Sequence, residues 1–261
     1  MPPLTLTVLG ASPAAPNAGG ACSGYLVRHG DTAVLMDCGS GVSGRVAQHI
    51  APQQVSALAI SHLHPDHYFD IVPLYYILRF GDPPPAARVP MYVPPGGTAF
   101  LRQLGQLISD KSEMLEDIFQ VCDYPSGGSV QIGSVQFSFH PVQHYVQSHA
   151  MHIESADGAT LVFSSDVGPC TSLVEAARGA DVLLCESALV DPTHDEPHPE
   201  RRGHMSAGEA GAAARQASVR RLVLTHYRSG PNYDDRHRQA AEAAFGGPVE
   251  LAREGKTYTI G

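Results

Sequence analysis

Residues 61–67 read SHLHPDH and follow directly on the apolar run Ala57-Leu58-Ala59-Ile60. This stretch restricts the fold more than any other, because it requires a strand to end where polar side chains can converge. A strand alternates its faces, so His62 and His64 point the same way. Pro65 ends the strand and turns the chain, which brings Asp66 and His67 back beside them. Two imidazoles with an adjacent carboxylate–imidazole pair suit a borderline ion such as Zn²⁺. A polar loop with incidental histidines is the bland alternative. It accounts for one histidine far better than for H-x-H-x-D-H at a strand end.

The rest of the chain supplies the frame. Strand-like runs recur at 4–9, 33–37, 57–61, 135–140, 160–166, 181–186 and 221–226, and helix-like runs lie at 42–49, 68–79, 97–108, 171–178, 206–217 and 235–245. Strands alternating with helices predict an α/β layered fold. The two halves look alike: TAVLMDCGSGVSGRVA (32–47) and TLVFSSDVGPCTSLVEA (160–176) both read strand, aspartate, glycine-bearing turn, helix. Strand ends repeated in this way put polar loops on one rim, where sites are commonly built. His144 follows one strand, Asp166 and His226 each end another, and His204 precedes a helix that the Ser206/Glu209 capping box starts. Each is unremarkable alone; together with SHLHPDH they complete a binuclear site.

Composition narrows the partners. The 261 residues carry 17 Lys and Arg against 26 Asp and Glu, a formal charge of −9. With no basic run, this disfavours a large nucleic-acid footprint but not a small phosphate ligand held by a metal. Five cysteines without a CxxC pair favour neither a disulfide framework nor a thiolate zinc site. No apolar run approaches the roughly 20 residues that span a membrane, and the start lacks the features of a signal peptide. The expectation is a soluble, cytoplasmic domain over 1–261.

H-x-H-x-D-H, followed by separate His, Asp and His loci, resembles the metallo-β-lactamase superfamily over nearly the whole chain. GHMSAGEAG with the later RLVLTHY, and the LLCES strand, resemble its RNase Z-like branch and the related cyclic-nucleotide phosphodiesterases. The opening TVLGASPAAPNAGGACSGYLV, LMDCGSGV and DHYFDIVPLYY look most like short bacterial phosphodiesterase-type members.

That resemblance implies a four-layer αββα sandwich with two divalent ions, zinc first and manganese second, between the sheet edges. His62, His64 and His144 would hold one ion. Asp66, His67 and His226 would hold the other, with Asp166 bridging. A metal-bridging hydroxide would attack phosphorus, and Asp66, His204 and Glu186 are the implied catalytic residues: His204 protonates the leaving oxygen and Glu186 orients it. Asp37 would support the metal loop from beneath; its bland reading is a turn aspartate before glycine. The implied substrate is a small cyclic nucleotide such as 3′,5′-cAMP, and relatives of this kind admit a homodimer. The alternatives are tRNA 3′-end processing and hydrolysis of a carboxylic ester or lactone. True RNase Z enzymes carry a long arm, commonly between the third His locus and the bridging Asp, and here only residues 145–165 lie between His144 and Asp166. Lactonases share the ligands without needing His204 and Glu186 as a pair. His149 and His152 are expected to be pocket or surface residues, and 193–202 a mobile loop over the site. Tyr68 and Phe69 read equally as base-stacking or core aromatics, and Arg228 as a phosphate contact or an exposed side chain.

Overall fold

The computed structural model describes residues 2–190, 192 and 198–261. In chain order its elements are β1 (Leu4–Gly10), β2 (Gly24–His29), β3 (Thr32–Met36), α1 (Ser43–Val46), β4 (Ala57–Ala59), α2 (Pro65–Tyr68), α3 (Ile71–Arg79), β5 (Val89–Val93), α4 (Gly97–Ser109), β6 (Phe119–Asp123), β7 (Ser129–Ile132), β8 (Val135–Val142), β9 (Ser148–Ser155), β10 (Thr160–Phe163), α5 (Thr171–Ala176), β11 (Val182–Glu186), α6 (Ala207–Ala217), β12 (Arg221–Thr225), α7 (Asp234–Phe245), β13 (Val249–Leu251) and β14 (Thr257–Ile260).

The central strands are apolar on both faces, so each sheet must be covered twice. In β3, Val34 and Met36 enter one core while Ala33 and Leu35 enter another. In β12, Val223 joins the first core and Leu222 and Leu224 a third. The result is two seven-stranded sheets, β14-β1-β2-β3-β4-β5-β6 and β13-β12-β11-β10-β9-β8-β7, face to face. Tyr25 of one sheet meets Phe163 of the other with ring centroids 5.0 Å apart. Residues of α1, α3 and α4 cover the outer face of the first sheet, and residues of α5, α6 and α7 that of the second. This is the expected αββα sandwich.

The resemblance between the halves is structural. β3 pairs in parallel with β4, and β10 in parallel with β11. Each first strand leads into a residue with left-handed backbone, Asp37 at φ 55° and Ser165 at φ 58°. Several strands stop before the expected end: β4 ends at Ala59, β10 at Phe163 and β12 at Thr225. The residues beyond them, His62, Asp166 and His226, therefore sit on loops at the sheet edges, on a rim above the inter-sheet core. The expected 68–79 helix is two pieces, α2 and α3, with the turn at Phe69 and Asp70. The 145–165 stretch is taken up by β9 and β10, an antiparallel pair in which Leu161 faces Ile153. All five cysteines are unbridged, and Cys22, Cys38 and Cys185 are buried.

Candidate metal centre

Pro65 sits at the first position of α2, where its missing N–H is not needed. That start places Asp66 and His67 in one turn directly behind His64. Beneath them, Asp37 Oδ1 accepts from the Ser61 amide at 2.7 Å, and Oδ2 accepts from Ser61 Oγ at 2.8 Å and from His67 Nδ1 at 2.7 Å. Asp37 is fully buried and braces the whole loop. Gly39 completes the support: a Cβ there would lie 1.8 Å from the Asp66 carbonyl oxygen. The turn packs main chain on main chain, as only glycine permits.

The ligand-type residues fall into two overlapping groups. One joins His62, His64, His144 and Asp166; the other joins Asp66, His67, Asp166 and His226, with the ligand atoms of each group within 4.8 Å of one another. Asp166 belongs to both. The His62, His64 and His144 rings form a triangle with every centroid separation 4.9 Å. Asp166 Oδ1 lies 3.3 Å from His67 Nε2, and Oδ2 lies 3.3 Å from His226 Nε2 and 3.8 Å from His62 Nε2. Asp66 Oδ2 lies 3.5 Å from His67 Nε2 and 3.8 Å from His226 Nε2.

Outer hydrogen bonds select which nitrogen faces inward. His67 Nδ1 donates to Asp37, and His144 Nδ1 donates to the Gly203 carbonyl at 2.6 Å. His226 Nδ1 meets Ser23 Oγ at 3.1 Å, while His62 Nδ1 meets Ser61 Oγ at 3.1 Å and Ser165 Oγ at 3.3 Å. Nε2 of these four rings is thus turned to the centre. His64 is the exception: its Nδ1 lies 3.1 Å from His144 Nε2. Partners of this kind fix ring orientation and tautomer at metal sites.

Burial and mutual repulsion shape the charges. Burial, then the neighbouring His67, push His62 well below the ordinary imidazole range. Burial likewise lowers His144 to about 4 and lowers His64. These three rings are neutral at pH 7, with lone pairs to give. Burial opposes charge on Asp166, but His226 and His67 outweigh it and hold the carboxyl well below its usual range. Burial also opposes charge on His67, and there Asp166 and Asp37 prevail and raise it.

Do these residues fit metal ions? Among the described residues, seven buried side-chain N or O atoms have no hydrogen-bond partner, and four of them are His62 Nε2, His67 Nε2, Asp66 Oδ2 and Asp166 Oδ1. An unsatisfied buried polar atom costs about 1–3 kcal/mol, so four of them lining the two adjoining groups call for a further partner. The donors are imidazole and carboxylate, the set preferred by borderline dications. The clusters therefore fit divalent metal ions.

A third group abuts the second. His204 Nδ1 lies 2.9 Å from Glu186 Oε1 and 3.9 Å from Asp166 Oδ2. Glu186, at the end of β11, is fully buried. Its Oε1 also accepts from the Val167 amide at 2.8 Å, and its Oε2 from the Ala188 amide at 3.0 Å. The expected capping box holds α6, with Ser206 accepting from the Glu209 amide. Buried Arg202 pairs with Glu209, so the segment before His204 is anchored on both sides.

All nine residues expected at the site on sequence grounds lie in one of these three groups. Others sort differently. His149 is neither pocket nor surface: it is fully buried, with Nδ1 3.2 Å from Tyr124 Oη and Nε2 2.9 Å from Ser126 Oγ. His152 is half-buried, and its Nδ1 donates to the Ala176 carbonyl. Tyr68 is core, packed on Phe100, whereas Phe69 is exposed. Arg228 is exposed over the Tyr233 ring. Much of the expected 193–202 cover, residues 193–197, lies outside the described residues. Sequence reasoning missed Ser23, Ser165 and Gly203, which hold the outer nitrogens. Nothing local in the sequence marks them.

Known proteins resemble this chain in sequence and fold. The family profile of the beta-lactamase superfamily domain matches residues 32–227. A protein of Mycobacterium leprae, ML1173, is 37% identical over 256 residues, 98% of this chain and 88% of that one. Ribonuclease Z of Mycobacterium bovis is 31% identical over 272 residues, 96% of each chain. The probable metallo-hydrolase YhfI of Bacillus subtilis is 30% identical over 257 residues, 97% of this chain and 98% of that one. The crystal structure of YhfI superposes with a TM-score of 0.84 at 27% identity, covering 100% of both chains. The chain belongs to the metallo-β-lactamase superfamily, in the branch of the short RNase Z and YhfI-like proteins.

Proposed function

We propose that this metallo-hydrolase cleaves the phosphodiester of a small cyclic nucleotide such as 3′,5′-cAMP. One observation carries the reading: His204 stands beside Asp166, held at 2.9 Å by the buried carboxylate of Glu186. Hydrolysis of a phosphodiester expels an alkoxide, which needs a proton, and a positioned imidazole is the usual donor. Glu186 fixes the ring through Nδ1 and stabilises the positive charge that proton donation requires. Proton delivery would then fall to Nε2, the nitrogen on the far side of the ring from Glu186.

His62, His64, His144, Asp66, His67, Asp166 and His226 would hold two divalent ions, zinc or manganese. When bound, such a pair supplies Lewis acidity and an activated water near neutral pH. Only Asp66 and Asp166 are anionic among those ligands, so the loaded centre keeps net positive charge and favours a phosphodiester anion. Asp37, Ser23 and Gly203 keep the histidine rings aimed.

Two features favour a small substrate over tRNA. The segment between His144 and Asp166 holds the short β9–β10 pair and no protruding arm. The net charge of −9 repels a long polyanion.

The test is turnover of 3′,5′-cAMP by zinc- or manganese-loaded protein, read as AMP by chromatography, with precursor tRNA and a lactone in parallel. AMP formation that disappears in His204→Ala is the expected result. Site-specific tRNA cleavage without AMP would overturn the small-substrate reading, and lactone turnover alone would overturn the phosphodiester.

A further inference from the structure

Tyr145 follows the candidate ligand His144 and is 53% exposed, although it stands over the site. Its ring centroid lies 5.3 Å from that of His144 and 5.8 Å from that of His204, at 69° to the latter. The ring rests on Gly203. A Cβ at that glycine would lie 2.5, 2.6 and 2.8 Å from Cε2, Cδ2 and Cζ of Tyr145. Three neighbouring ring atoms at almost equal distance place the added carbon over the ring face rather than in its plane. One face of Tyr145 is therefore seated on bare main chain, which only glycine at 203 allows.

The same glycine is tied to the metal group, since its carbonyl accepts from His144 Nδ1 at 2.6 Å. Tyr145, Gly203 and His204 thus form one unit at the edge of the centre. The ring is held from below and hemmed in by two imidazoles. A half-exposed aromatic in that position offers a flat apolar surface beside the groups that would handle the phosphate.

We infer that Tyr145 is the wall on which the nucleobase of the substrate stacks. The inference rests on the phosphodiester reading above and names the part of the substrate that gives affinity. A phosphate gripped by the centre puts the sugar and base of the same nucleotide within reach of a ring about one residue away. Stacking tolerates any base, because every base has a π-face. The subsite therefore selects nucleotides over phosphodiesters without a base, rather than one base over another.

The chain contains no tryptophan, so Tyr145→Trp places a sole indole reporter at the wall. With zinc-loaded Tyr145→Trp protein, AMP should quench the indole fluorescence and ribose 5-phosphate should not. In parallel, Tyr145→Ala should raise the KM for 3′,5′-cAMP about tenfold, the size of a single base–aromatic stack. Its affinity for ribose 5-phosphate should not change, and Tyr145→Phe should restore the KM. Equal quenching by both ligands, or a KM unmoved in Tyr145→Ala, overturns the stacking wall while leaving the hydrolase reading intact. Base-dependent quenching without any cAMP turnover by the unmodified protein supports the wall and overturns the cyclic-nucleotide hydrolase.

Discussion

His144 donates from Nδ1 to the carbonyl oxygen of Gly203 across 2.6 Å. That bond joins a residue of the first metal group to the main chain immediately before His204. The orientation of the candidate ligand and the placement of the candidate acid thus share one hydrogen bond.

His204 falls with Glu186 and Asp166 in the third group, apart from the two groups proposed above to hold the ions. His204→Ala should keep both metals while kcat falls about 10²–10⁴-fold, the usual weight of a positioned general acid. Elemental analysis beside steady-state kinetics checks this. Loss of metal in the variant would make His204 a ligand.

Asp166 is shared by both groups. Asp166→Ala should lower metal content from two ions per chain to one or none, measured by plasma mass spectrometry after gel filtration. Two fully occupied ions in that variant would remove the bridging role.

Glu186 accepts from the amides of Val167 and Ala188 as well as from His204. A glutamine has one acceptor oxygen, so Glu186→Gln leaves at least one buried N–H facing another donor. We expect a loss of about 1–3 kcal/mol in stability together with a fall in kcat. Urea denaturation measures the first, and an unchanged midpoint would show that the carboxylate is not holding these segments.

His149 is buried against Tyr124 and Ser126, and burial, then His140, push its pKa from 6.5 to about 4. Between those values the unfolded chain binds the proton and the folded chain does not. The stability is therefore full above pH 6.5 and is lost as pH falls toward 4, by up to about 3 kcal/mol for this ring. His149→Gln should flatten the profile of folding free energy against pH across that window. Parallel profiles for the two proteins would locate the acid sensitivity elsewhere.

Much of the architecture was readable because β3, β10, β11 and β12 are largely apolar runs, and β1 and β8 alternate apolar with polar side chains. β9 was missed because SHAMHIES carries histidines and serines within a buried strand. β5 contains Pro90, which weakens a strand pattern. β14 is a short run that gains its place only by pairing with β1. The site was legible as histidines and aspartates at strand ends, since that pattern is local. The groups that aim the rings were not: Ser23 reaches His226 across 203 residues of sequence, and Gly203 reaches His144 across 59. Only folding reveals such pairings.

The candidate ligands come from both sheets, His62 and His64 from the loop after β4, Asp66 and His67 from the α2 turn that follows it, and His144, Asp166 and His226 from loops around β8, β10 and β12. Five cysteines form no bridge between the layers. Two bound ions would then act as a staple at one end of the seam, fastening residue 62 to residue 226 as a crosslink does. Chelation should do more than stop turnover: it should let the sandwich part at its rim first, while the apolar layer below still grips.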